Sequence, residues 1–310
     1  MKKIFLVLSA VVMTAISVSA QDLATATETF NNGAMELQMG NMEAALTNFQ
    51  SALEMAEALG EQGAEIATNC KGAIPQVMFS IAKGLIKDEN YEGALAQLDA
   101  TIAAANKYES ADVAAEAAEF IPQVYMQQGN TALKAKDMAT AVAAYTKVIE
   151  LEPANGNAML RLGQVYAATG KVDEAVAAFE QAAANGQEKT ANKQLSTLFL
   201  KKAQAAVKAK KFQEAVDFAA KSNSYVESAN AYRMAASAYQ QLNNAAECIA
   251  SYEKYLELNP NAKDATGVKY TIAALAQTAG NKEKAKEYYQ MILTDPQYGA
   301  TAKQMLEQLK

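Results

Sequence analysis

The stretch Met159-Leu160-Arg161-Leu162-Gly163-Gln164-Val165-Tyr166, with Gly170-Lys171-Val172-Asp173-Glu174-Ala175, Phe179 and Ala182 behind it, decides the reading of the whole chain. With Gly156 as position 1, Leu162 and Gly163 stand at 7 and 8 and Tyr166 at 11, and Ala175, Phe179 and Ala182 fall at 20, 24 and 27. The same frame recurs. Ala45, Phe49 and Ala52 hold positions 20, 24 and 27 of a unit starting at Ala26, and Ala94, Leu98 and Thr101 do so from Pro75. Ala141, Tyr145 and Val148 follow from Pro122, Cys248, Tyr252 and Tyr255 from Ala229, and Ala285, Tyr289 and Ile292 from Thr266. A unit from Ser196 keeps Ala203 and Ala215 but has Ala219 where the others carry a large side chain. Seven units therefore span Ala26 to about Tyr298, and a fixed internal period is the signature of a stacked array.

The frame makes physical sense as a helix hairpin. Positions 8 and 20 carry Gly, Ala or Cys in every unit, which lets two helices cross closely. Gly40, Gly170 and Gly280 at position 15 can end a first helix in the left-handed conformation. Asn41, Asn90, Asp137, Asn244 and Asn281 at position 16 can cap a second helix through a side-chain oxygen. Lys171 and Lys211 at that position predict two weaker caps. Pro153, Pro260 and Pro296 sit where units end. About a fifth of the residues are alanine, the best helix former. The frame resembles the tetratricopeptide repeat, a 34-residue helix–turn–helix unit. That resemblance implies an all-α, right-handed superhelical solenoid of antiparallel hairpins, about seven units with a C-terminal capping helix.

Unit starts are unevenly spaced, and the word Ile-Pro-Gln-Val occurs twice, at Ile74 and at Ile121. The composition of Ala111 to Phe120 favours helices that enter from about Ala64 and Ala111 and continue through Pro75 and Pro122 with a kink, rather than helices that start at those prolines. The expected organisation is residues 1–20 as a signal peptide, 21–155 as units with long helices, 156–297 as regular units and 298–310 as the cap. The cap should present Ala302, Met305 and Leu309 on one face and cover the open end of the stack.

Lys2 and Lys3, the apolar run from Ile4 to Val18, and Val18-Ser19-Ala20 before Gln21 read as a secretory signal cut between Ala20 and Gln21. The run is shorter than a bilayer span and carries Ser9, Thr14 and Ser17. Without it, 26 basic residues face 34 acids, a net charge of −8, which disfavours nucleic acid as a partner. No later stretch is apolar enough to cross a membrane. Cys70 and Cys248 lie about four units apart, too far for a bridge within one chain, and are expected to be buried thiols. Phe49, Tyr145, Phe179, Tyr252 and Tyr289 share position 24 and are expected to be packing residues, with Met159 and Met291 at core-like positions.

The chain has no histidine, so it has no imidazole base or metal ligand and no Ser-His-Asp triad. No GxSxG, P-loop or HExxH motif occurs, and no catalytic residue, metal site or cofactor is assigned. The resemblance implies that positions 2, 5, 9, 12 and 13 line a concave groove. None of those 35 positions is acidic, and five are Lys or Arg: Lys83, Lys87, Lys134, Lys208 and Arg233. Asn130 and Gln164 add amides. The expectation is a groove that holds an extended peptide or protein segment, with a ligand carboxylate near Lys87, Asn130 and Lys134. No lysine occupies position 5 of any unit, which sets the groove apart from the carboxylate-clamp members of the family. The expected role is a non-enzymatic adaptor in a bacterial cell envelope, periplasmic by preference. A chaperone-like assembly factor and a self-associating structural protein are the alternatives.

Overall fold

The computed structural model describes residues 18–310, so the signal-peptide reading falls largely outside the described residues. Every regular element among these residues is helical. The helices form two compact units, one through Pro153 and one from Ala154.

The first unit holds α1 (Val18–Met39), α2 (Met42–Ala58), α3 (Ala64–Lys87), α4 (Tyr91–Lys107), α5 (Ala111–Lys134) and α6 (Met138–Leu151). Each packs on the next, and α3 also touches α1 and α5. The second holds α7 (Gly156–Ala168), α8 (Val172–Ala182), α9 (Glu188–Lys208), α10 (Phe212–Tyr225) and α11 (Ala229–Gln241). It continues with α12 (Ala245–Leu258), α13 (Ala265–Thr278), α14 (Lys282–Gln290) and α15 (Gly299–Gln308). Here too each helix meets its neighbour, and α9 also touches α11. The chain is thus the all-α hairpin array that the repeat frame implies.

The hairpin crossings show why the frame needs small residues. A Cβ on Gly163 would stand 2.7 Å from both Cδ1 and Cε1 of Phe179. A Cβ on Gly129 would meet Tyr145 at 2.7 Å, and one on Gly33 would meet Phe49 at 2.9 Å. The ring at position 24 therefore lies against the bare backbone at position 8. Phe49, Tyr145, Phe179 and Tyr289 are all buried, as expected of packing residues, and Tyr252 is half-buried. At position 20 of the sixth repeat, the Cys248 thiol donates to the Ala236 carbonyl at 3.2 Å, so the two helices touch backbone to side chain there.

The turns follow one pattern. Position 15 has positive φ in all seven units: Gly40, Gly170 and Gly280, but also Glu89, Lys136, Lys210 and Asn243. The side chains of Asn90, Asp137, Asn244 and Asn281 accept the amide three residues on, capping the second helix of their hairpins. Lys171 and Lys211 make no such bond. Asn41 departs from the expectation: it too makes no cap, because its amide donates to Glu36 Oε2 at 2.7 Å instead.

Helices α3 and α5 run unbroken through Pro75 and Pro122, starting at Ala64 and Ala111. The fifth repeat was expected to begin at Ser196, yet α9 begins at Glu188. Asn185 and Gly186 (φ 85°) break the chain after α8, and nothing between Glu188 and Lys208 interrupts a helix. Met291 is a second correction. It lies past the end of α14 in a turn and is 49% exposed, whereas Met159 is buried. Helix α15 presents Ala302, Met305 and Leu309 to Tyr289 and Ile292, closing the last hairpin.

Candidate functional site

The residues expected to line the groove fall into two groups. In the first unit, Lys87 and Lys134 are exposed and end α3 and α5, two helices in contact. Their positive charge at a helix C-terminus is favourable in itself, because the carbonyls there are unpaired and carry partial negative charge. Neither lysine has an ion-pair partner among the described residues. Asn130 stands one turn before Lys134. Its Oδ1 accepts from the Tyr145 hydroxyl at 2.9 Å, so its amide nitrogen is the group left to donate.

Lys83 is not a free cation. Its Nζ lies 3.6 Å from the centroid of Phe79 and 5.1 Å from that of Phe120, two rings that meet edge to face. It also pairs with Glu116 at 3.5 Å. The acid comes from the part of α5 that precedes Pro122, outside the repeat frame, and so it does not figure among the groove positions.

In the second unit, Gln164 accepts from Arg161 at 3.2 Å and Lys208 is exposed at the end of α9. Arg233 pairs with Asp264 at 2.8 Å. The other Asp264 oxygen accepts from Tyr255 at 2.6 Å, and burial with that carboxylate pushes the Tyr255 phenol up. Arg233 and Asp264 thereby tie α11 and α12 to the start of α13. No hydrogen bond or ion pair joins any two of the seven groove residues to each other, and of the five cations only Lys87, Lys134 and Lys208 remain unpaired among the described residues.

Among the described residues, no group of three or more acids and cysteines stands close enough to hold a metal ion. No described helix is long and apolar enough to cross a membrane. Cys70 and Cys248 are buried free thiols, and burial alone pushes them up to about 12 and about 11. At neutral pH both are protonated, so neither can act as a thiolate nucleophile. A cleft at the start of α1, lined by Asp22, Thr25, Met55, Ala58 and Leu59, brings no further polar group to bear.

Family models described as tetratricopeptide repeat match residues 126–189 and 229–262. Those two stretches match the tetratricopeptide repeat. The matched stretches take in most of the third and all of the fourth and sixth 34-residue repeats of the frame. Among solved structures the chain is similar to MamA, at 20% identity over 59% of this chain and 96% of that one, with a TM-score of 0.36. It is also similar to YrrB, described as a TPR protein with an unusual peptide-binding site, at 21% identity over 58% of this chain and 91% of that one, with a TM-score of 0.31. No curated protein matches the chain.

The repeat frame alone misses part of the charged surface. Helix α9 starts a full two turns before its repeat, and the extra turns bring Lys189 and Lys193 onto the same helix as Lys201 and Lys208. The signal that could have placed them is Asn185-Gly186, a turn dipeptide in front of an uninterrupted helical run.

Proposed function

We propose that this chain is a non-enzymatic adaptor that holds a segment of another protein against its tetratricopeptide repeats. The carrying observation is the pair Lys87 and Lys134, exposed, unpaired and at the same position of neighbouring, touching helices, with the Asn130 donor beside the second. Two lysines in register can attract a ligand carboxylate, and an amide donor can hold the ligand backbone. The aromatic side chains of position 24 are taken up by packing and stand outside the groove positions.

The apolar run from Ile4 to Val18 and the small residues up to Ala20 support export, with cleavage before Gln21 and work in the periplasm of a bacterial envelope. Mature protein used as bait in envelope extract, with mass spectrometry, tests both ideas. A Lys87→Glu, Lys134→Glu variant runs beside it. One stoichiometric partner that the variant loses supports an adaptor with its groove at α3 and α5. A catch unchanged in the variant overturns that placement, and a catch made only of unfolded clients turns the role into that of an assembly chaperone.

A further inference from the structure

Charge is distributed unevenly along the chain. Residues 21–153 carry 7 lysines against 19 acids, a net charge of −12, whereas residues 154–310 carry 19 basic residues against 15 acids, a net charge of +4. The excess of the second unit is concentrated on α9 and the turn after it. Residues 189–211 hold seven lysines (Lys189, Lys193, Lys201, Lys202, Lys208, Lys210 and Lys211) and no acid.

On α9 these lysines form a face. Ala191, Leu195, Phe199, Ala203 and Ala206 point into the core. On the opposite side Lys189, Lys193, Thr197, Lys201, Gln204 and Lys208 are all exposed and recur every three or four residues. From Lys189 to Lys208 the stripe is about 28 Å long at the helical rise. None of its four lysines has an ion-pair partner among the described residues. Elsewhere in the same unit Arg233, Lys254 and Lys284 all have carboxylate partners within 2.8 Å, and the acid that α9 itself carries is Glu188 in its first turn.

The complementary charge is in the chain itself. Glu43 and Glu54 on α2, Glu92 and Asp99 on α4, and Asp112 and Glu119 on α5 are exposed carboxylates without an ion pair among the described residues. We propose that the α9 stripe is a self-association surface that docks on the acidic first unit of a second copy. Like charges keep α9 from meeting α9, so each stripe faces the acidic first unit of the other copy, either reciprocally in a closed pair or head to tail in a growing assembly. An anionic membrane or a nucleic acid would meet the stripe but also the −12 of the first unit, which repels both.

The test is the mass of the full mature chain by sedimentation and light scattering. Protein concentration is raised from micromolar to sub-millimolar, at roughly 20 mM and roughly 500 mM salt, where the Debye length falls from about 20 Å to about 4 Å. The expected result is a mass that grows with concentration to a dimer or beyond at low salt and reverts to a monomer at high salt. A Lys193→Glu, Lys201→Glu variant should associate at least roughly tenfold more weakly. Lys282→Glu, Lys303→Glu changes the net charge equally at two other exposed lysines of the second unit and should associate like the wild type. Circular dichroism checks that helicity is kept. Should the reversal perturb folding, Lys193→Gln with Lys201→Gln removes the same charges and must weaken association in the same direction. A wild-type chain that stays monomeric at low salt overturns the proposal, even if it binds phosphatidylglycerol vesicles through α9, and so does equal weakening by the two charge reversals.

Discussion

Gly163 is where one methyl group decides whether a hairpin can close. Its missing Cβ would overlap two ring carbons of Phe179, a side chain 1% exposed and unable to retreat. Gly163→Ala should therefore cost about 1–3 kcal/mol, the usual range for overpacking a filled core, read as a lower denaturant midpoint at constant slope. Phe179→Leu should recover part of that loss in the double variant, because the two residues share one contact. Both members of this pair are legible in the sequence, since position 8 and position 24 recur. The buried thiols carry a pH prediction. Burial raises Cys70 to about 12 and Cys248 to about 11, while an unfolded thiol ionises near about 8.5. A folded pKa above the unfolded one means stability is intact below about pH 8.5 and is lost as pH rises through the folded values. Chemical denaturation between pH 8.5 and 10 should show a shallower decline for Cys70→Ala, Cys248→Ala than for wild type. Equal slopes would assign the decline to tyrosines and lysines instead.

At the scale of the hairpin, the turn geometry is more uniform than the residues that occupy it. Position 15 takes positive φ whether the residue is glycine or not, and Glu89, Lys136 and Lys210 adopt 57°, 61° and 59°. A non-glycine residue there costs about 1–2 kcal/mol, of which glycine's extra chain entropy takes back about half. Glu89→Gly and Lys210→Gly should each stabilise by about 0.5–1 kcal/mol, measured as a raised midpoint. The cap position behaves alike. Lys171 sits at φ −79°, ψ 77°, beside the −84°, 79° of Asn281, which does cap its helix. Lys171→Asn should thus gain about 1 kcal/mol. Asn41 is the exception. Its backbone angles match those of Asn90, yet Glu36 draws the side chain away. The hairpins, their turns and the continuous α3 and α5 are legible because they rest on local spacing and propensity. The early start of α9 is not, because the repeat frame hides helix that precedes the repeat.

At the scale of the molecule, what sequence reading loses is pairing in space. Lys83 and Arg233 look like free cations until Glu116 and Asp264, both outside the groove positions, are seen to hold them. The segregation of charge has the same character: every residue is in plain view, but it signifies only once the unit boundary at Pro153 is known. A repeat array has one further whole-molecule demand, since each hairpin leaves an apolar face for the next and the last has no successor. Helix α15 answers it. Ala302 and Leu309 are buried, Met305 and Leu306 half-buried, in one apolar cluster with Tyr289 and Ile292. Deleting residues 299–310 removes that cover, and at about 1.5–3 kcal/mol for each large apolar side chain buried the loss should reach about 3 kcal/mol or more. Leu309→Ala, which leaves the helix in place, should cost about 2 kcal/mol. The deletion also exposes apolar surface of the last hairpin, so the shortened chain should self-associate. This association would be apolar and should persist or strengthen at high salt, whereas contacts through the lysines of α9 weaken there. Light scattering across a salt series separates the two, and a truncated chain that stays monomeric with an unchanged midpoint would show that α15 covers nothing the stack needs.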